Sequence, residues 1–114
     1  MARVILVVDD EPLILHVTVG MLEDLGCEVI AASNGLEALE KLSAEPRVQV
    51  LITDINTPGM DGYELAEAAM NVRDSLKVIM LSGRVGDGHG FPLIRKPFLQ
   101  KDLIKTMAAH TGLC

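Results

Sequence analysis

The stretch Val7-Val8-Asp9-Asp10-Glu11-Pro12 (VVDDEP) ends an apolar run that begins at Val4, and ends it on three consecutive carboxylates. Two unit charges about 4 Å apart repel by roughly 4 kcal/mol at an effective dielectric of 20. A chain tolerates that where the acids are solvated at the surface, or where a cleft supplies them with a cation. The run before them does not alternate with polar residues, which suits a strand covered on both faces, as in a parallel sheet. Proline directly after the acids fits the first turn of a helix. The stretch therefore reads as strand, acidic turn and helix, and it marks where to look for chemistry.

Four further apolar runs follow, EVIAA (28–32), VQVLIT (48–53), KVIML (77–81) and FPLI (91–94), with helical periodicity between them. In the first interval Ile14, Val17, Met21 and Leu25 recur at helical spacing before Gly26, a C-terminal stop. A second helix is expected to start near Ser33-Asn34-Gly35 and to bury Leu36, Leu39 and Leu42. A third opens at Met60-Asp61-Gly62, where Asp61 and Glu64 have capping-box spacing. The last runs from about Leu99, with Leu103, Ile104 and Met107 facing inward. Strands alternating with helices give βαβ units, right-handed crossovers and an open α/β sheet. The interval SGRVGDGHGFP (82–92) has four glycines and no apolar period. Glycine costs about 1 kcal/mol relative to alanine in a helix, so a connection with a short or absent fourth helix is expected. No Gly-Lys-Ser/Thr follows, which sets this interval apart from a phosphate-binding loop.

The 114 residues read as one domain, 1–114, with no output domain after the last helix. With 3% aromatic residues against 49% hydrophobic, its core must be aliphatic. A formal charge of −6 argues against nucleic acid or an anionic membrane surface as a direct partner. The apolar run after Arg3 is too short for a secretory signal, and no stretch approaches a membrane span. Cys27 and Cys114 have neither metal-ligand spacing nor a disulfide framework; they read as a packing residue and a terminal thiol of a reduced, cytoplasmic protein. His16, His89 and His110 are not spaced as metal ligands and read as solvated.

In an open parallel sheet, ligands bind outside the carboxyl ends of the strands. There the sequence places Asp9 and Asp10 after the first strand, Asp54 at the end of the third, Ser82 at the end of the fourth and Lys96 after the fifth. Three carboxylates make a hard oxygen site suited to Mg²⁺. A carboxylate is also a nucleophile toward phosphorus, and a metal with Lys96 would neutralise the charge of a transferring phosphoryl group. Ser82 could hydrogen-bond a phosphoryl oxygen. Plainer roles stand beside these: Asp10 or Glu11 as a helix cap, Ser82 as a turn residue, Lys96 as a surface cation. A serine hydrolase is excluded by the absence of a Gly-x-Ser-x-Gly elbow.

Taken in order, VVDDEP, LITDINTPGMDGYEL, IMLSG and RKPF resemble the successive motifs of the response-regulator receiver domain of two-component signalling, over essentially the whole chain. The resemblance implies a doubly wound five-stranded parallel sheet of flavodoxin-like order 2-1-3-4-5 with helices on both faces. It implies Asp54 as phosphoacceptor and Mg²⁺ (or Mn²⁺) bound by Asp9, Asp10, Asp54 and the backbone carbonyl of Asn56. Ser82 matches the switch hydroxyl, and Lys96 the lysine that contacts the phosphoryl group, followed by a cis bond to Pro97. Gly83 matches a position kept small for access, and Asn56 and Arg84 match positions that tune dephosphorylation. The implied partner is a sensor histidine kinase or histidine phosphotransfer protein, and the implied catalysis is limited to the domain's own phosphorylation and dephosphorylation. Two features depart from the family: Leu93 stands where an aromatic residue is usual, and the Ser82–Lys96 interval is short. The competing readings are a Mg²⁺-dependent phosphohydrolase with Asp54 as nucleophile and a binding module that works without phosphorylation.

Overall fold

The computed structural model describes residues 3–83 and 90–112. Its elements run β1 (Val4–Val8), α1 (Pro12–Asp24), β2 (Glu28–Ala32), α2 (Gly35–Ala44), β3 (Val48–Asp54), α3 (Gly62–Val72), β4 (Lys77–Ser82), β5 (Leu93–Arg95) and α4 (Gln100–His110). The strands form one parallel sheet in the order β2-β1-β3-β4-β5, as the resemblance implies. The expectation for a fourth helix between β4 and β5, like those for Arg84 and His89, falls on the interval 84–89 outside the described residues, as does that for Cys114.

The continuous apolar strands divide their side chains between two cores. Val4, Leu6 and Val8 of β1 pack with Leu51, Val78 and Met80 beneath α2 and α3. Ile5 and Val7 pack with Val50, Ile52, Ile79, Leu81 and Ile94 beneath Leu22 of α1 and Leu103 and Met107 of α4. This alternation is the period of a strand, and burial on both faces explains why no polar residue interrupts β1. Arg73 closes the sheet's far end: its guanidinium donates to the carbonyls of Val48 (2.9 Å), Leu42 (3.2 Å) and Glu45 (3.3 Å).

Several local expectations are corrected. The buried stripe of α1 runs through Thr18 and Leu22 with Leu15, Met21 and Leu25 against them, while Val17 is exposed. Thr18 is buried without penalty because its hydroxyl donates to the Ile14 carbonyl at 2.8 Å. In α2 the buried residues are Gly35, Ala38 and Leu42, and Leu36 is 65% exposed. The small residues let that helix approach the sheet closely. The fifth strand starts at Leu93 rather than Phe91; Pro92 has no N–H to offer but its carbonyl accepts from Met80 N at 2.8 Å. Cys27 packs in the α1/α4 core as expected, but it is disulfide-bonded, which corrects the expectation of a reduced thiol. The capping box of Asp61 and Glu64 forms as the spacing predicts.

Gly62 starts α3 against the backbone of β3's end: a Cβ there would meet the Asp54 carbonyl oxygen at 2.6 Å and Ile55 Cα at 2.8 Å. Gly20, inside α1, has nothing within 4 Å of that position. Urea unfolding should therefore separate two nominally identical changes. Gly20→Ala is expected to stabilise by up to about 1 kcal/mol through helix propensity. Gly62→Ala is expected to destabilise by about 1–3 kcal/mol, because backbone on both sides must move.

Candidate functional site

The register of the sheet assembles the site. Val8 pairs with Thr53, so the next residues, Asp9 and Asp54, emerge side by side at the carboxyl end. Alternation continues Ile5 and Val7 to Asp9, Val50 and Ile52 to Asp54, and Ile94 to Lys96, so all three face the same side of the sheet. Lys96 is brought level by its own backbone, whose N–H donates to the Ser82 carbonyl at 2.8 Å. The Lys96–Pro97 bond is cis, as the resemblance implies.

Asp9 is 1% exposed and tightly held. Its Oδ1 accepts from Glu11 N at 3.0 Å and its Oδ2 from Lys96 Nζ at 2.7 Å. Neither Asp10 nor Glu11 supplies the helix cap suggested above: Glu11 is the N-cap residue of α1 but makes no side-chain capping bond, and the carboxylate serving the helix entrance is that of Asp9. Asp54 is 5% exposed and held more loosely, its Oδ2 lying 3.3 Å from Lys96 Nζ and its Oδ1 3.4 Å from Asn56 N. Asp10, exposed at the rim, completes a group in which one carboxylate oxygen from each acid lies within 4.8 Å of those of the other two.

Burial alone would pull the pKa of the Lys96 ammonium down, but the hydrogen bond to Asp9 and the charges of Asp54 and Asp9 outweigh it, leaving the pKa above the ordinary lysine value. A raised folded-state pKa contributes stability that is complete below the unfolded-state value and lost as pH rises through the folded one. The pairing therefore persists through neutral pH and fails only in strongly alkaline solution. Three carboxylates against one ammonium still leave an excess of negative charge, and the donor set is that of a hard divalent cation.

Ser82 is buried at the end of β4, next to Leu81, the residue that pairs with Asp54 across β3 and β4. Asn56 is exposed on the loop after β3. Among the described residues, a Cβ at Gly83 would meet nothing within 4 Å. The sequence reading passed over Thr57, which is buried in that loop with its hydroxyl donating to the Met60 carbonyl. The signal was present in Thr-Pro-Gly, a turn signature with a hydroxyl placed to close it.

The response regulator receiver domain family matches residues 5–108. The chain is 34% identical to the response regulator receiver protein CpdR of Brucella abortus, covering 91% of this chain and 92% of that one. It is 41% identical to the sensor histidine kinase GacS of Pseudomonas protegens, over 96% of this chain. The chain spans 13% of that kinase and 22% of the transcriptional regulatory protein YesN of Bacillus subtilis. Among solved structures it is similar to the chemotaxis protein CheY4 of Vibrio cholerae, with a TM-score of 0.89, 29% identity and coverage of 96% of this chain and 98% of that one. No helix among the described residues is long and apolar enough to cross a membrane.

The charge excess makes a prediction about Asp10, the exposed member of the acidic group. Without divalent cations, Asp10→Asn should unfold at the same temperature as the parent or slightly higher, because one repelling charge is gone and exposed charges are worth at most about 1 kcal/mol. The stabilisation gained on adding Mg²⁺ should shrink in the same variant. Thermal unfolding in EDTA and in Mg²⁺ checks both; a lower melting temperature in EDTA would contradict the prediction.

Proposed function

Because the chain belongs to the response regulator receiver domain family, a signalling module of two-component systems, we propose that it accepts a phosphoryl group on Asp54 from a histidine kinase or histidine phosphotransfer protein. Acceptance then switches a protein-interaction surface. The observation that carries this reading is the unequal hold on the two buried acids. Asp9 is fixed through both oxygens by bonds of 3.0 and 2.7 Å, whereas the closest contacts of Asp54 are 3.3 and 3.4 Å. Asp9 is thus firmly positioned, with lone pairs left to hold a cation, and Asp54 is the less restrained acid, suited to attack.

In the proposed step an Asp54 oxygen forms a bond to phosphorus while the bond from phosphorus to the donor imidazole nitrogen breaks, and the imidazole leaves with its electron pair and takes up a proton. Mg²⁺, held by Asp9, Asp10, Asp54 and the Asn56 carbonyl, would neutralise charge on the phosphoryl oxygens (Mn²⁺ has the same ligand preference). Lys96 keeps its proton and moves its ammonium from the Asp54 carboxylate to a phosphoryl oxygen. Ser82 donates its hydroxyl to another, which draws the end of β4 toward the site. Likeness to part of a sensor histidine kinase supports a histidine donor.

The surroundings favour a protein donor over a small one. A cleft of about 240 Å³ lined by Leu13, Ile14, Val17, Pro97 and Phe98 has Lys96 in its wall. Leu13 in that lining, and Leu99 next in sequence to Phe98, are 73% and 60% exposed, an apolar footing that a small phosphoester would not use. This favours a signalling role over a small-molecule phosphohydrolase.

The test is intact-mass measurement after incubation with acetyl phosphate and Mg²⁺, beside Asp54→Ala. The expected result is addition of one phosphoryl group that is absent without Mg²⁺ and in the variant. No added mass, with a phosphohistidine donor protein failing too, would overturn the reading.

A further inference from the structure

The loop from β3 to α3 carries the only backbone group assigned to the cation, the Asn56 carbonyl, and its geometry is fixed by two internal ties. At its base Gly62 N donates to the Ile55 carbonyl at 2.7 Å. At its tip the Thr57 hydroxyl donates to the Met60 carbonyl, across a turn in which Gly59 takes φ +82° and Met60 N donates to the Pro58 carbonyl at 3.0 Å. Asn56 lies between the two ties, with its own N–H directed at Asp54 Oδ1.

We infer that Thr57 is a positioning residue for the cation site, its hydroxyl setting the direction of the Asn56 carbonyl; this rests on the proposed reading of the acids. The Asn56 carbonyl belongs to the same planar peptide unit as the Thr57 N–H. One end of that plane is held by the Asn56 N–H on Asp54 and the Ile55–Gly62 bond. The other is held only as firmly as Thr57 itself. Thr57 is 7% exposed while its neighbours Asn56 and Pro58 are exposed, so the side chain is drawn inward and its hydroxyl must find a partner. The partner it takes, Met60, is itself anchored. Met60 is seated on Gly35 at the start of α2, where even a Cβ would come within 2.9 Å of Met60 Sδ and 3.1 Å of its Cβ. Thr57 therefore ties the cation-facing peptide to a fixed point on a neighbouring helix. Without the hydroxyl, the Asn56–Thr57 peptide is held at one end only, and a cation must order it further on binding.

Isothermal titration of Mg²⁺ into the wild-type chain, Thr57→Val and Thr57→Ser tests this, with thermal unfolding in EDTA run on each. Valine keeps the buried shape and deletes the hydroxyl; serine keeps the hydroxyl. Thr57→Val is expected to raise the Mg²⁺ Kd about three- to tenfold, the order of one lost supporting hydrogen bond, and Thr57→Ser to stay within about twofold. Gly35→Ala, which displaces the Met60 anchor from outside the loop, should weaken binding in the same direction and serves if Thr57→Val does not fold. Wild-type affinity in folded Thr57→Val, or in Gly35→Ala, would overturn the inference alone. Absence of Mg²⁺ binding to the wild-type chain would overturn it together with the reading of the acids.

Discussion

One ammonium shared between two buried carboxylates is the constraint on which this structure turns. Lys96 Nζ sits 2.7 Å from Asp9 and 3.3 Å from Asp54, drawing a residue beyond the last strand against residues at the ends of two central ones. Buried charges are costly unless paired, and breaking such a pair leaves the remaining charge uncompensated. The sheet order makes the pairing possible. β1 and β3 are neighbours at its centre, and β4 carries β5 to where Lys96 can reach across. The pairing remains incomplete by design of the residue set, since the third acid, Asp10, adds charge that Lys96 cannot balance.

The loops around this centre are held by contacts of a different kind. Gly62 and Gly35 are places where a side chain would collide, the first with the backbone that bears Asp54 and the second with Met60. Gly62 thus brings the start of α3 against the end of β3, and Gly35 brings the start of α2 against Met60 in the loop between β3 and α3. Asp54 therefore has a loop tied by the Gly62–Ile55 bond on one side, and on the other the end of β4, whose Ser82 carbonyl accepts from Lys96 N.

Much of this was legible in the chain. VVDDEP specified a buried strand, an acidic turn and a helix, and the alternation of runs specified a parallel α/β sheet with its chemistry at one edge. The errors came where packing overrides periodicity. Val17 fits the helical stripe of α1, but it lines the open cleft beside Pro97 and Phe98, while Thr18 goes inside because its hydroxyl can bond within the helix. Leu36 was expected in the core of α2, but Gly35 and Ala38 make the close approach and leave it outside. The capping role of Asp9 and the latch formed by Thr57 depend on which atoms a loop brings together, and composition cannot supply that. The disulfide at Cys27 was likewise invisible to spacing, because pairing depends on distance in the fold.

The acids at the strand ends form a group able to hold a divalent cation beside Asp54. Residue-resolved NMR during a Mg²⁺ titration tests this most directly, since amide shifts locate binding without requiring phosphorylation. The account predicts saturable shifts concentrated at Asp9, Asp10, Asp54 to Thr57 and Lys96, abolished in Asp9→Asn with Asp10→Asn. Shifts absent at these residues, or unchanged in the double variant, would contradict it.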